Sequence, residues 1–229
     1  MIDKTLKCMK TIISFFLILM PSICFSQNKF SQISYYENSK RASDICGEIA
    51  DSNTQAAIVS VDAILSQVDI KPNFILRACD SEEVNAFAYT LENQRYIMYN
   101  TEFMNKIYMK SDSYWGYVFV LAHEIGHHLK DHTVDAVLED LGVGCNNCEF
   151  NRNQELEADN FAGFVLAKLG ATLEQAQEGI YSLHKFRGGP LNYNDSKDSH
   201  PNTARRLNAV KIGYLRGEKE RNKNLILDF

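Results

Sequence analysis

The 229-residue chain is poor in the features that mark several protein classes. With 4 Pro and 12 Gly it is neither collagen-like nor a low-complexity linker. It has no basic excess: 24 Lys and Arg against 29 Asp and Glu leave a net charge of −5. That balance argues against a nucleic-acid binder, which would carry a basic patch. A stable membrane span is not expected either, because the apolar run Ile12 to Met20 is far shorter than the roughly 20 residues that a spanning helix needs. What the chain does have is 45% hydrophobic residues, with 13 Phe and 11 Tyr. That composition excludes wholesale disorder and can fill the core of one domain.

The first residues stand apart from that domain. Lys4, Lys7 and Lys10 precede the apolar run, Pro21 breaks it, and Cys24-Phe25-Ser26 precedes a cut before Gln27. This is the layout of a secretory signal peptide. The expectation is a signal at 1–26 and one exported domain at 27–229, periplasmic or secreted. Ile23 before Cys24 disfavours a lipoprotein signal. Export leaves Cys46, Cys79, Cys145 and Cys148 in an oxidising compartment, where an even number points to disulfides. The favoured pairing is Cys145–Cys148 across a short loop and Cys46–Cys79 as the long-range link. The residues flanking Cys145 and Cys148 lack the strand-turn-helix context of a thioredoxin-like redox pair, and a zinc knuckle would need the thiols kept reduced.

Periodicity along the domain is mostly helical. Ala57, Ile58, Val61, Ile64, Leu65 and Val68 recur at three- and four-residue spacing, which predicts a helix over 54–68. Short aromatic and β-branched runs at 73–79, 84–90 and 94–100 predict a small antiparallel sheet. Helices follow over 113–132 and 153–169. Thr172 with Gln175 forms a capping box, and a last helix starts near Thr203. The fold class is α+β, predominantly helical. Between the last two helices, Asn192 to Ser199 is a polar loop with few apolar anchors, expected to move at modest cost.

The chemistry concentrates in the helix at 113–132. His123 and His127 are four residues apart, so both imidazoles project from one helix face and can share one Zn²⁺. Glu124 can then reach an attacking water as general base. Lys130 and Thr133 stand where a metzincin would carry Gly and its third His, which excludes that class. His132 lies about 180° round the helix from His123, and His128 points away too, so both read as supporting or solvated residues. The third ligand is then a carboxylate on another helix. Glu155 fills that place, and Asp159, four residues on, would orient one of the histidines.

At this point the sequence resembles the gluzincin peptidases of the CAAX prenyl endopeptidase and HtpX heat-shock type. His123-Glu124-Ile125-Gly126-His127 and Glu155-Leu156-Glu157-Ala158-Asp159 carry the resemblance. Asn85-Ala86-Phe87-Ala88 is similar to the family's edge strand, which holds substrate by strand addition. Ser199-His200-Pro201 with Arg206-Leu207 is similar to its C-terminal element. Where the family follows the edge strand with Pro-Gly-Gly, this chain has Tyr89-Thr90-Leu91-Glu92-Asn93.

The resemblance implies a zincin-like domain holding one Zn²⁺ per chain. It also implies His200 and Arg206 as groups that meet the oxyanion, with peptides or unfolded proteins as substrates. The alternative is a latent or catalytically idle, chaperone-like protein that binds client chains along the edge strand. In the latent form, His200 would occupy the open metal position.

Overall fold

In the computed structural model the described residues are 50, 53–80, 85–91, 93–111, 113–132, 148–198 and 200–227. The expected signal at 1–26, Cys46 and Cys145 lie outside them. Cys79 is disulfide-bonded, and the pairing with Cys46 stays an expectation.

Helix α1, Gln55–Ser66, follows Thr54, whose hydroxyl caps it by accepting from Ala57 N. The same residue ties the helix inward. Its N–H donates to the Tyr99 hydroxyl at 2.8 Å, and its own hydroxyl lies 3.0 Å from that of Tyr117. Three strands come next: β1 (Phe74–Cys79), β2 (Ala86–Leu91) and β3 (Gln94–Asn100).

The sheet is mixed rather than antiparallel throughout. Its order is β1-β3-β2, with β1 parallel to β3 and β2 antiparallel to β3. The cause is topological. Leu91 pairs with Gln94 in a tight hairpin that takes Asn93 to φ 64°, a value Asn tolerates, so β2 and β3 must run oppositely. The chain leaving β1 reaches the outer edge first, and β3 then returns beside β1 in the same direction.

Five more described helices follow: α2 (Thr101–Lys110), α3 (Trp115–Leu129), α4 (Cys148–Lys168), α5 (Leu173–Arg187) and α6 (Thr203–Leu227). The capping box at Thr172 and Gln175 is formed and opens α5. Helix α3 is the centre of the molecule. Every residue from Gly116 to Gly126 is buried, and the helix packs on α1, α4, α5 and β2. Such an all-round burial needs an all-round apolar helix, which Val118, Phe119, Val120, Leu121 and Ile125 provide.

Two histidines of this region are not solvated. His128 is fully buried, stacks on Phe74 at 5.7 Å and places Nε2 2.8 Å from Tyr96 O. It fastens α3 to the sheet. His132 reaches Glu157 of α4 at 3.3 Å and is almost covered.

Helices α4 and α6 run side by side in the same direction, closer than ordinary side chains allow. A Cβ at Gly163 would come 2.2 Å from Val210 O, one at Gly213 1.8 Å from Asn160 O, and one at Gly217 2.2 Å from Phe164 O. Backbone therefore packs on backbone along three successive steps. Gly213→Ala should destabilise the protein by about 3 kcal/mol, the upper end of overpacking costs, because backbone cannot yield as a flexible side chain would. Denaturant unfolding of that variant checks the figure, and a loss below about 1 kcal/mol would contradict this close packing.

Candidate metal centre

The site is assembled where α3, α4 and α6 meet. On α3 the helical period brings His123 and His127 onto one face, with their Nε2 atoms 3.1 Å apart. On α4, Glu155 sets Oε2 3.4 Å from His123 Nε2 and Oε1 3.4 Å from His127 Nε2. Small residues permit this approach: a Cβ at Gly126 would meet Ala158 Cα at 3.1 Å. One ligand atom from each of His123, His127 and Glu155 lies within 4.8 Å of the other two.

The donor set suits a divalent cation that takes nitrogen and oxygen ligands. Two imidazole nitrogens facing each other at this distance cannot both donate to each other, whereas both can offer lone pairs to one cation between them. His123 is further prepared for that role, because its Nδ1 lies 2.9 Å from Asp159 Oδ1. A carboxylate there favours the proton on Nδ1 and leaves Nε2 as the ligand atom.

Charge at the site is balanced by contact. Asp159 is wholly buried, and the Arg206 guanidinium grips it through Nε at 2.8 Å and Nη2 at 2.7 Å. Burial pushes the Asp159 carboxyl up, but Arg206 and His123 more than offset that and hold it below its usual range. Burial likewise pushes His123 down, yet Asp159 and Glu155 raise it to about 10. A bound cation competes directly with that proton. Glu155 is held well below its usual range: burial opposes this, and contacts with His123, His127 and Arg206 prevail.

Glu124 behaves differently. Burial raises its carboxyl against the pull of His123 and His127, and the Ala88 backbone hydrogen-bonds to it. That hydrogen bond places the β2 edge directly beside Glu124. Among the described strands β2 pairs on one side only, so Ala86, Phe87 and Ala88 lie on an open sheet edge. Asn85 lies just before this edge, its carbonyl accepting from Asn100 N at 2.9 Å.

The two C-terminal residues fall differently from each other. Arg206 is turned inward onto Asp159 and sits 3.9 Å from Glu155 Oε2. His200 is half exposed, with Nε2 3.7 Å from the same Glu155 oxygen. The loop before it is not loosely anchored, contrary to the sequence expectation. Its anchors are polar: Asp195 is buried, Arg152 donates to its carbonyl, and Asn202 N donates to its carboxylate. Arg152, Asp195 and Asn202 were not legible as site residues. The one available signal was Asn202 at the N-cap of α6, where its Oδ1 accepts from Arg205 N at 3.0 Å.

Elemental analysis should find about one zinc per chain, and His127→Ala should lose it. Asp159→Asn should lower stability, because Arg206 loses its buried charge partner, and should weaken zinc by about 10–100-fold in chelator competition, as lost outer-shell partners do. Full zinc retention in Glu155→Ala would remove that residue from the ligand set.

No curated protein and no solved structure matches the chain. The model of Peptidase family M48 matches residues 51–148 and 144–212, which include the α3 histidines, Glu124, Glu155, Asp159, His200 and Arg206. With more than half of its length matched, the chain belongs to Peptidase family M48, a metallopeptidase family.

Proposed function

We propose that the protein is an exported zinc-dependent endopeptidase that cleaves peptides or unfolded proteins. The observation that carries this reading is the buried Glu124 carboxyl, beside the His123, His127 and Glu155 ligand atoms on one side and hydrogen-bonded to the β2 edge on the other. A base, a metal triad and a strand-binding edge together are the parts that peptide hydrolysis needs.

In this reading His123, His127 and Glu155 hold one Zn²⁺. When bound, the metal supplies Lewis-acid polarisation of the scissile carbonyl and acidifies the attacking water. An extended substrate adds to the open side of β2 through main-chain hydrogen bonds, which bring its carbonyl toward Glu124. Glu124, with its affinity for a proton raised by burial, accepts the proton of the attacking water and returns it to the leaving amine. Asp159 keeps His123 in the right tautomer, and Arg206 fixes Asp159 and steadies Glu155. His200, half exposed beside Glu155, is the group that would donate to the oxyanion. Its loop is pinned by polar contacts, which favours a donor acting in place over a plug that swings away. Export rests on the layout of residues 1–26.

Glu124→Gln should keep zinc and stability while cleavage of unfolded casein falls by several orders of magnitude, of which general-base loss alone explains about 10²–10⁴. Undiminished cleavage would sink the mechanism.

His200→Ala and Arg206→Ala should both lower turnover on one peptide, and only Arg206→Ala should also weaken zinc. A rise in rate for His200→Ala would instead mean that the imidazole blocks the site at rest, the latent form of the protein.

A further inference from the structure

Among the described residues, Arg152 is a buried cation that the proposed chemistry does not use. It lies on α4 three residues before Glu155, about one helical turn away, with only 4% of its surface exposed. Burying a guanidinium is costly unless its donors are met. Here they are met from two directions. Nε and Nη2 donate to Glu149 Oε2 at 3.2 and 2.7 Å on its own helix. Nη1 donates to two backbone carbonyls of the loop before α6, Asp195 O at 2.7 Å and Asp198 O at 2.8 Å.

Those carbonyls belong to a loop that holds itself closed. Asp195 accepts from Asn202 N at 2.8 Å and from Arg205 Nη1 at 3.2 Å. Asn202 Nδ2 donates to Tyr193 O at 2.9 Å, and its Oδ1 caps α6. The loop is therefore pinned at Tyr193, Asp195 and Asn202, with His200 close to the last of these. Arg152 joins the backbone of this loop directly to the helix bearing Glu155.

We propose that Arg152 is a positioning residue: it clamps the Asp195–Asp198 turn to α4 and so sets the place of His200 over Glu155. The inference deepens the endopeptidase reading and rests on it for its kinetic consequence, though not for its structural one. A planar fork suits this task, because one nitrogen can serve two carbonyls while the others hold Glu149. Lysine carries the charge without the fork.

Two measurements test it. Hydrogen exchange is read first, on wild type, Arg152→Lys and Arg152→Met. Amides of Asp198 and Asn202, which donate to Asp195, should exchange at least about tenfold faster in both variants, while α3 and α4 stay protected. Unchanged loop protection overturns the clamp even if the protein is no peptidase. Equal loss of protection everywhere would show a global structural role and overturns it too.

The second measurement is a double-mutant cycle on turnover with His200→Ala. Arg152→Met should change kcat in the same direction as His200→Ala, and should have no further effect in the His200→Ala background. Additive effects overturn the proposal. Asn202→Ala, at the far end of the loop, keeps the test informative where Arg152→Met does not fold: it should show the same coupling to His200 and leave zinc at one equivalent. An absence of cleavage by wild type would remove the endopeptidase reading while leaving the exchange result to stand by itself.

Discussion

The Asp159 carboxylate holds the functional half of this molecule together. It is wholly buried and shared between a histidine of α3 and an arginine of α6, while it belongs to α4. A buried charge with one partner removed typically costs about 3–5 kcal/mol, so the three helices are bound into one arrangement by mutual need. The same contact has a chemical effect, since it fixes which nitrogen of His123 faces the open centre. Stability and ligand geometry are here set by one interaction.

That interaction depends on distance, and distance depends on what side chains are missing. Gly163, Gly213 and Gly217 let α4 and α6 touch through their backbones, and Gly126 lets α3 approach Ala158. Bulkier residues would widen both crossings and draw Arg206 and the histidines away from their shared carboxylates. The glycines are thus remote from the chemistry but decide its scale. Protein interiors resist such displacement because they are packed as densely as organic crystals.

Much of this was legible before any coordinates. His123, Glu124 and His127 announce themselves because a helix repeats every 3.6 residues, and Glu155 with Asp159 obeys the same rule. The pairing order of the strands was hidden, since alternation tells which face a residue shows and not which strand lies next to it. His128 was left open between a supporting and a solvated role for a related reason: helical spacing turned it away from His123, but could not say that Phe74 and the Tyr96 carbonyl would be waiting there. Arg152 was invisible because a charge on a helix ordinarily faces water. Only the fold shows that its carbonyl partners come from more than forty positions away. The loop before α6 was read by its lack of apolar anchors, and polar anchors proved sufficient.

The side of β2 left open among the described strands has a consequence for what the molecule can recognise. A sheet edge offers a row of main-chain donors and acceptors, and nearly every polypeptide carries the matching row. What differs between polypeptides is whether those groups are already spoken for. In a helix or a finished sheet they are, and in a slack, stretched segment they are not. Under the proposed function, a chain lying along β2 would be sorted by its conformation more than by its letters, and foldedness itself would protect a neighbouring protein from Glu124.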